Sequence, residues 1–455
     1  MSSLEALSPH PTFPQGFRPR RGLNWMCVGL TYASFYLCRY NLRMTKTQIC
    51  QEYHFSNSDF GLILTGFFWT YAIGQLCNGL FTDKLGGKKA MLIGATGTVI
   101  LNIVFGLTSM NSQSVVLPLL YMFVLVRMVD GWAQSFGAPG MIKINSAWFN
   151  KNERGRFAGI FGFMIQLGQI GIGWLAPALL SGFTIAFLTV PPLHWKWVFF
   201  VPAALCSVAA SLVALFVKNS PEECGYEGVI HDEVAAAEGS ASEEAPPISV
   251  VLKKILGNRM VWLVAAAYFC TGAVRQGIDQ WFPAYLEEVH HVSKSSATFA
   301  LILTALPTVA VIGSFLSGYI SDVFFGGRRA PVAAILYFGQ TVVMLAAAQF
   351  SGLYTMCFFL VLISFAVNST HSILGTAAAM DIGGRKMAGF ASGVIDSFQY
   401  FGGGLAGFFL GWLLDKFGWH AWLYSLAGFG VIGGGLMLLA MKLQSAGAPA
   451  KAAGH

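Results

Sequence analysis

Charged residues are the first thing missing: Asp, Glu, Lys and Arg make up 11% of the 455 residues, where a water-soluble chain carries roughly 25%. So little charge cannot cover a water-facing surface, and a set of soluble domains is excluded. The eight cysteines stand at 27, 38, 50, 77, 206, 224, 270 and 357, without a CxxC pair or a His/Cys cluster. A disulfide-stapled secreted domain and a metal site are excluded with them, and no metal or cofactor is expected. A Gly-x-x-x-x-Gly-Lys-Ser/Thr loop is absent, as is any nucleophile–base constellation, so neither ATP-driven nor enzymatic chemistry is indicated. The net charge of +7 is spread rather than gathered in a basic patch, and nucleic acid is not expected as a partner. Arg18, Arg20 and Arg21 lead directly into an apolar segment without a small-residue cleavage site, so that segment reads as a first membrane span rather than a signal peptide.

What is present is apolar: 55% of the residues are hydrophobic and the mean hydropathy is +0.60. Residues 60–82, 197–217, 295–321 and 421–441 are each free of charge over the ~20 residues that a helix needs to cross a bilayer. Helices are expected near 23–42, 60–82, 89–109, 114–137, 157–183, 195–217, 259–286, 295–320, 330–350, 352–378, 389–413 and 420–441, with breaks at Asn111-Ser112, Pro191-Pro192 and Ser351-Gly352. This divides the chain into an N-terminal arm (1–22), a six-helix bundle (23–217), a solvated linker (218–258) rich in Glu, Ala, Ser and Pro, a second six-helix bundle (259–441) and a tail (442–455). With the N-terminus inside, 20 of the 28 Lys and Arg fall on the inner side and five, including Arg43, Lys46 and Lys294, in outer loops. That bias places both termini in the cytoplasm and the chain in the inner (plasma) membrane.

The halves repeat. Gly79-Leu-Phe-Thr-Asp83 followed by Gly-Gly-Lys88-Lys89 recurs as Gly318-Tyr-Ile-Ser-Asp322 followed by Gly-Gly-Arg328-Arg329, and Arg39 recurs as Arg275. Ala158-Gly159 after Arg154 answers Ala388-Gly389 after Arg385, so three landmarks share nearly one period. In each Gly-Asp loop the acid is expected to pair with the basic residues of its own motif, as a gate latch at Asp83 and Asp322. This duplicated unit resembles the major facilitator superfamily, which implies an all-α, twelve-helix fold whose halves rock about a midplane site.

Charges within spans are costly, at least ~2.5–3.5 kcal/mol each on insertion scales, and so mark function. Arg39 and Arg275 occupy matching positions in spans one and seven. Facing one cavity they would repel unless an anion lay between them, and guanidinium forks match phosphate oxygens. Against this, Arg275 has Asp279 four residues on and Arg39 could snorkel to the interface. Arg127 and Asp130 lie three apart and suit a structural or gating pair. Asp396 stands alone in span eleven, suited to proton coupling or to a substrate hydroxyl, and His371 suits a hydrogen-bonded packing role or proton carriage. Tyr36, Gln75, Gln134, Gln166, Asn368 and Tyr400 supply neutral polar groups to a cavity or to helix–helix contacts.

Several segments are similar to the organophosphate:phosphate antiporter family: YLCRYNL at 36–42, GWAQSFGAPG at 131–140, WFNKNERG at 148–155, VRQGIDQWFPAYL at 274–286 and the stretch 378–419. The resemblance implies exchange of inorganic phosphate for a phosphorylated metabolite, with Arg39 and Arg275 holding the phosphate; a monomer is expected as the working unit. The chain departs from the family's glycerol-3-phosphate branch at Tyr40, Gln75 and Ile165, where that branch carries lysine, lysine and histidine. A larger polyol or sugar phosphate is favoured over glycerol-3-phosphate. Two rival readings are a proton-coupled symporter of organic carboxylates using Asp130, Asp279 or Asp396, and a sensor that keeps the transporter fold.

Overall fold

Helices form wherever the apolar runs are long, because inside a bilayer every backbone N–H and C=O must be paired within its own segment. The computed structural model describes residues 13–108, 118–149, 151–185, 188–230 and 257–447; side chains of 151–161, 185, 188, 376–392 and 444–447 are not described. Twelve spanning helices appear: α1 (Phe17–Met44), α3 (Asn57–Leu85), α4 (Gly87–Thr108), α5 (Leu119–Gln134), α7 (Lys151–Ser181), α8 (Trp197–Phe216), α9 (Arg259–Glu288), α10 (Ala297–Phe325), α11 (Arg329–Ala347), α12 (Leu353–Ser372), α13 (Ala379–Phe417) and α14 (His420–Gly447). Among the described residues nine helices are long and apolar enough to cross a membrane by composition alone. The others are α1, which carries five arginines, the short α5, and α13, whose first turns are not described at the side-chain level.

Two short helices, α2 (Lys46–Tyr53) and α6 (Gly137–Trp148), and an antiparallel hairpin of β1 (Phe183–Ile185) with β2 (Leu188–Val190) were not expected from the sequence. The hairpin is too short to change the all-α class. A loop was expected over 379–388, but α12 runs through a π-helical segment, Ile373–Ala378, into α13. The expected break at Asn111-Ser112 lies outside the described residues, as do linker residues 231–256 and tail residues 448–455. The start of the linker is structured rather than freely solvated. Glu222–Cys224 forms a 3-10 turn, Cys224 accepts from Arg20 Nε at 3.2 Å, and Tyr226 meets Phe17 edge-on.

An even number of spans puts both ends of the chain on one face, the terminal face; α2 and the hairpin lie on the opposite, distal face. Within 17–216, α1 packs on α7 and α8, α3 on α5, and α4 on α5 and α8. The same pairings recur within 259–447, where α9 packs on α13 and α14, α10 on α12, and α11 on α12 and α14. The two groups meet through α1 with α9, α3 with α13 and α7 with α10. Large apolar side chains such as Leu215, Leu301 and Phe324 stand 70% or more exposed on the perimeter, the surface that lipid covers, while arginines and aspartates lie inside.

Hydrogen bonds between the groups gather toward the distal face. Asp415 accepts from the backbone of Asn57 and Ser58 at 2.9 and 2.7 Å, Lys46 pairs with Glu288 at 2.5 Å, Thr47 donates to Glu287, and Lys294, paired with Glu287 of its own half at 2.9 Å, donates across to Gln48 at 2.9 Å. Closure at that face is completed by glycine contacts between α3 and α13.

Candidate functional site

Arg39 lies on the inner face of α1, only 2% exposed. Its Nε donates to Gln134 Oε1 of α5 at 3.1 Å. The guanidinium stacks over Tyr36 and Tyr71 with its carbon 4.6 and 4.4 Å from their ring centroids, a cation–π cradle that lowers the cost of burial. Gln134 in turn donates to Asp130 Oδ1 at 3.2 Å, and Asp130 Oδ2 holds Arg127 Nη1 at 2.7 Å. Arg127 reaches the α1 backbone, donating to Cys38 O at 3.4 Å and Arg39 O at 3.2 Å. The Arg127–Asp130 pair thus fixes α1 and, through Gln134, the angle of Arg39.

On α9, Arg275 is 7% exposed. Gln399 of α13 bridges it to Asp396: with the amide oriented to satisfy both, its oxygen accepts from Arg275 Nη1 at 3.1 Å and its nitrogen donates to Asp396 Oδ1 at 3.2 Å. Arg275 Nη1 also lies 3.4 Å from His371 Nε2. Since arginine only donates, Nε2 is the acceptor and Nδ1 carries the proton toward Tyr268 Oη, 2.5 Å away. No ion pair joins Arg275 to Asp279 among the described residues, although Asp279 lies in electrostatic range of it, and the Arg39 guanidinium is buried against Tyr36, Tyr71 and Gln134.

The two guanidiniums share surroundings. Tyr36 and Tyr400 lie in electrostatic range of both, as does Asp396, toward which Gln75 and Tyr268 direct polar groups. Tyr400 packs against Tyr71 with ring centroids 4.5 Å apart, closing the α3–α13 side. Arg39 Nη2 and Arg275 Nε are buried with no hydrogen-bond partner. An unpaired buried donor costs ~1–3 kcal/mol, and here two such donors come from matching helices of the repeat.

A sequence profile of the Major Facilitator Superfamily matches residues 28–407 and, in a second match, 292–454. The chain belongs to the Major Facilitator Superfamily. Its relatives include the glycerol-3-phosphate transporter of Bacillus subtilis (strain 168), 28% identical with 86% of each chain covered. A probable hexose phosphate transport protein of Chlamydia trachomatis is 26% identical, covering 87% of this chain and 86% of the relative. The membrane sensor protein UhpC of Escherichia coli (strain K12) is 26% identical, with 88% of each covered. Among solved structures, a bacterial homologue of the human lysosomal transporter Spinster, in an inward-facing unoccupied conformation, aligns with a TM-score of 0.77 at 16% identity, covering 95% of this chain and all of that one.

Other expected positions in this facilitator fall elsewhere. Asp322 pairs with Arg329 of its own motif at 2.7 Å. Asp83 instead pairs with Lys143 of α6 at 2.8 Å, because Lys88 turns away to donate to Ala214 O at 2.8 Å. Arg154, Ala158, Arg385 and Ala388 lie where side chains are not described. Gln166 does not join the arginines; it lines a separate crevice, nearer the distal face, with Asp279. Arg43, assigned from the sequence to an outer loop, is the clearest miss. It is the last-turn residue of α1, 2% exposed, and donates across the halves to the Asp279 carbonyl at 2.7 Å. Its spacing of four from Arg39 was the available signal, since i and i+4 share a helix face. Tyr71 and Tyr268 carry no such signal; only packing brings them in.

Proposed function

We propose that this facilitator exchanges a phosphorylated organic metabolite for inorganic phosphate by alternating access, as a monomer in the inner (plasma) membrane with both termini in the cytoplasm. The observation that carries this reading is the pair of buried arginines on α1 and α9, each retaining an unpartnered N–H. A phosphate offers enough acceptor oxygens to satisfy both, and guanidinium geometry matches them two at a time. Coupling follows from charge. Without an anion the two cations resist the approach of the halves; with one they attract it from both sides. Only a loaded carrier then crosses readily, which makes transport an exchange. The relatives named for glycerol phosphate and hexose phosphate transport support the same substrate class.

One observation favours a second reading: Asp396 lies in range of both guanidiniums, where a carboxylate that gains and loses a proton would couple transport to the proton gradient. The sensor-named relative adds a third. Counterflow in proteoliposomes separates them. Labelled phosphate accumulating against internal phosphate, unchanged when the proton gradient is collapsed, is the expected result. Strict dependence on the gradient would favour symport, and binding without flux would favour a sensor.

A further inference from the structure

Residues 43 and 279 stand in the same register of the repeat as 39 and 275, one helical turn, roughly 5.4 Å, nearer the distal face. Where the upper pair is two arginines, this pair is Arg43 and Asp279. They line a narrow crevice between the halves, about 10 Å³ in volume and so just wide enough for a single hydroxyl or water, whose other polar lining is Gln166, Gln169, Ser364 and Asn368 and whose apolar wall includes Phe282, Leu303 and Leu306. Its polar groups are under-used. Arg43 Nε and Gln166 Oε1 are buried without partners, and the Asp279 carboxylate, 8% exposed, makes no hydrogen bond among the described residues. Arg43 spends Nη1 on the Asp279 carbonyl, not on the carboxylate.

The charges cancel: one cation and one anion, with three amides and a hydroxyl on the polar side of the crevice. Such a surface offers both donors and acceptors with no net formal charge, which suits hydroxyl groups and disfavours a further anion. We infer that Arg43, Asp279 and the neighbouring amides form a subsite for the hydroxyl-bearing end of the substrate, so that the chain selects phosphorylated polyols and sugars over phosphorylated carboxylic acids. This rests on the phosphate site at Arg39 and Arg275. A phosphate held there leaves its ester carbon chain one turn away from the crevice.

The test uses the purified full-length protein in proteoliposomes, with inhibition of labelled phosphate exchange as the readout. Glucose-6-phosphate, glycerol-3-phosphate, 3-phosphoglycerate and unlabelled phosphate are the competitors. The wild type is expected to bind glucose-6-phosphate at least tenfold more tightly than 3-phosphoglycerate. In Gln169→Leu and in Asp279→Asn, the half-inhibitory concentration of glucose-6-phosphate divided by that of phosphate is expected to rise at least tenfold, whatever the absolute rate. Using a ratio and two substitutions keeps the test independent of any one variant's yield. An unchanged ratio in both, or a wild type that prefers 3-phosphoglycerate, overturns the subsite. If the wild type shows no phosphate exchange at all, it is the phosphate reading that fails, and direct binding of glucose-6-phosphate to the solubilised protein, followed by intrinsic tryptophan fluorescence, then tests the subsite alone by the same two substitutions.

Discussion

A guanidinium inside a bilayer must find acceptors for five N–H groups, and the arginines here meet that demand in different ways. Arg127 is ion-paired with Asp130 and donates to two backbone carbonyls, with only its Nε left unpartnered; Arg39 and Arg275 also keep a buried donor unpartnered but have no carboxylate in an ion pair among the described residues. Ion-paired and unpaired cations predict different phenotypes. Asp130→Asn leaves Arg127 buried without a counter-charge, a change that costs about 3–5 kcal/mol in comparable buried pairs, and is expected to lower the unfolding temperature of the detergent-solubilised protein. Arg39→Lys and Arg275→Lys are expected to leave that temperature nearly unchanged but to cut phosphate exchange in proteoliposomes about 100-fold or more, because an ammonium cannot reproduce the planar fork. Gln134→Leu removes one acceptor from Arg39, a loss of roughly 1.5–3 kcal/mol for a bond to a charged group, and is expected to slow exchange by about tenfold or more. The cations themselves were legible from their rarity within spans; the Gln134–Asp130–Arg127 chain behind Arg39 was not, since it joins residues that are distant in sequence.

At the level of helices, glycine decides how closely the halves approach. A β-carbon on Gly61 of α3 would stand 2.7 Å from the Gly407 carbonyl carbon, and one on Gly407 of α13 would stand 2.7 Å from the Gly61 oxygen, both inside van der Waals contact. Gly407→Val therefore wedges α3 from α13 near the distal face. The expected result is faster labelling of a cysteine introduced at Ser293 by a membrane-impermeant maleimide, together with loss of transport. Equal labelling rates with full transport would show that this contact is not part of closure. The glycines of 402–411 were visible in the sequence as a small-residue run, but their partners on α3 were not. Short elements such as α2 and the 183–190 hairpin also escaped, because eight residues or fewer carry too little periodicity to read.

For the whole molecule, the repeated helix pairings and the distal latch describe two similar bodies held at one end. Lys46–Glu288, Thr47–Glu287 and Lys294–Gln48 link α2 to the end of α9 and the α9–α10 loop across the halves, so combined Glu287→Gln and Glu288→Gln substitution is expected to raise the rate of Ser293→Cys labelling even with Gly407 intact. Orientation has its own measurement. A cysteine placed at Lys451 is expected to react with impermeant maleimide only after the cells are permeabilised, in accord with the Lys and Arg bias toward the terminal face.

That this chain crosses a membrane many times, repeats itself and hides a few cations in its spans follows from the residues alone, because the bilayer acts as a solvent on each segment separately and its cost is nearly additive along the chain. Which charges meet was left to tertiary structure. Asp83 finds Lys143 rather than its own motif, Arg43 turns inward to Asp279, and Gln399 joins Asp396 to Arg275. Those outcomes depend on helix rotation and on contacts between segments up to 236 positions apart, as for Arg43 and Asp279, and no local pattern encodes them.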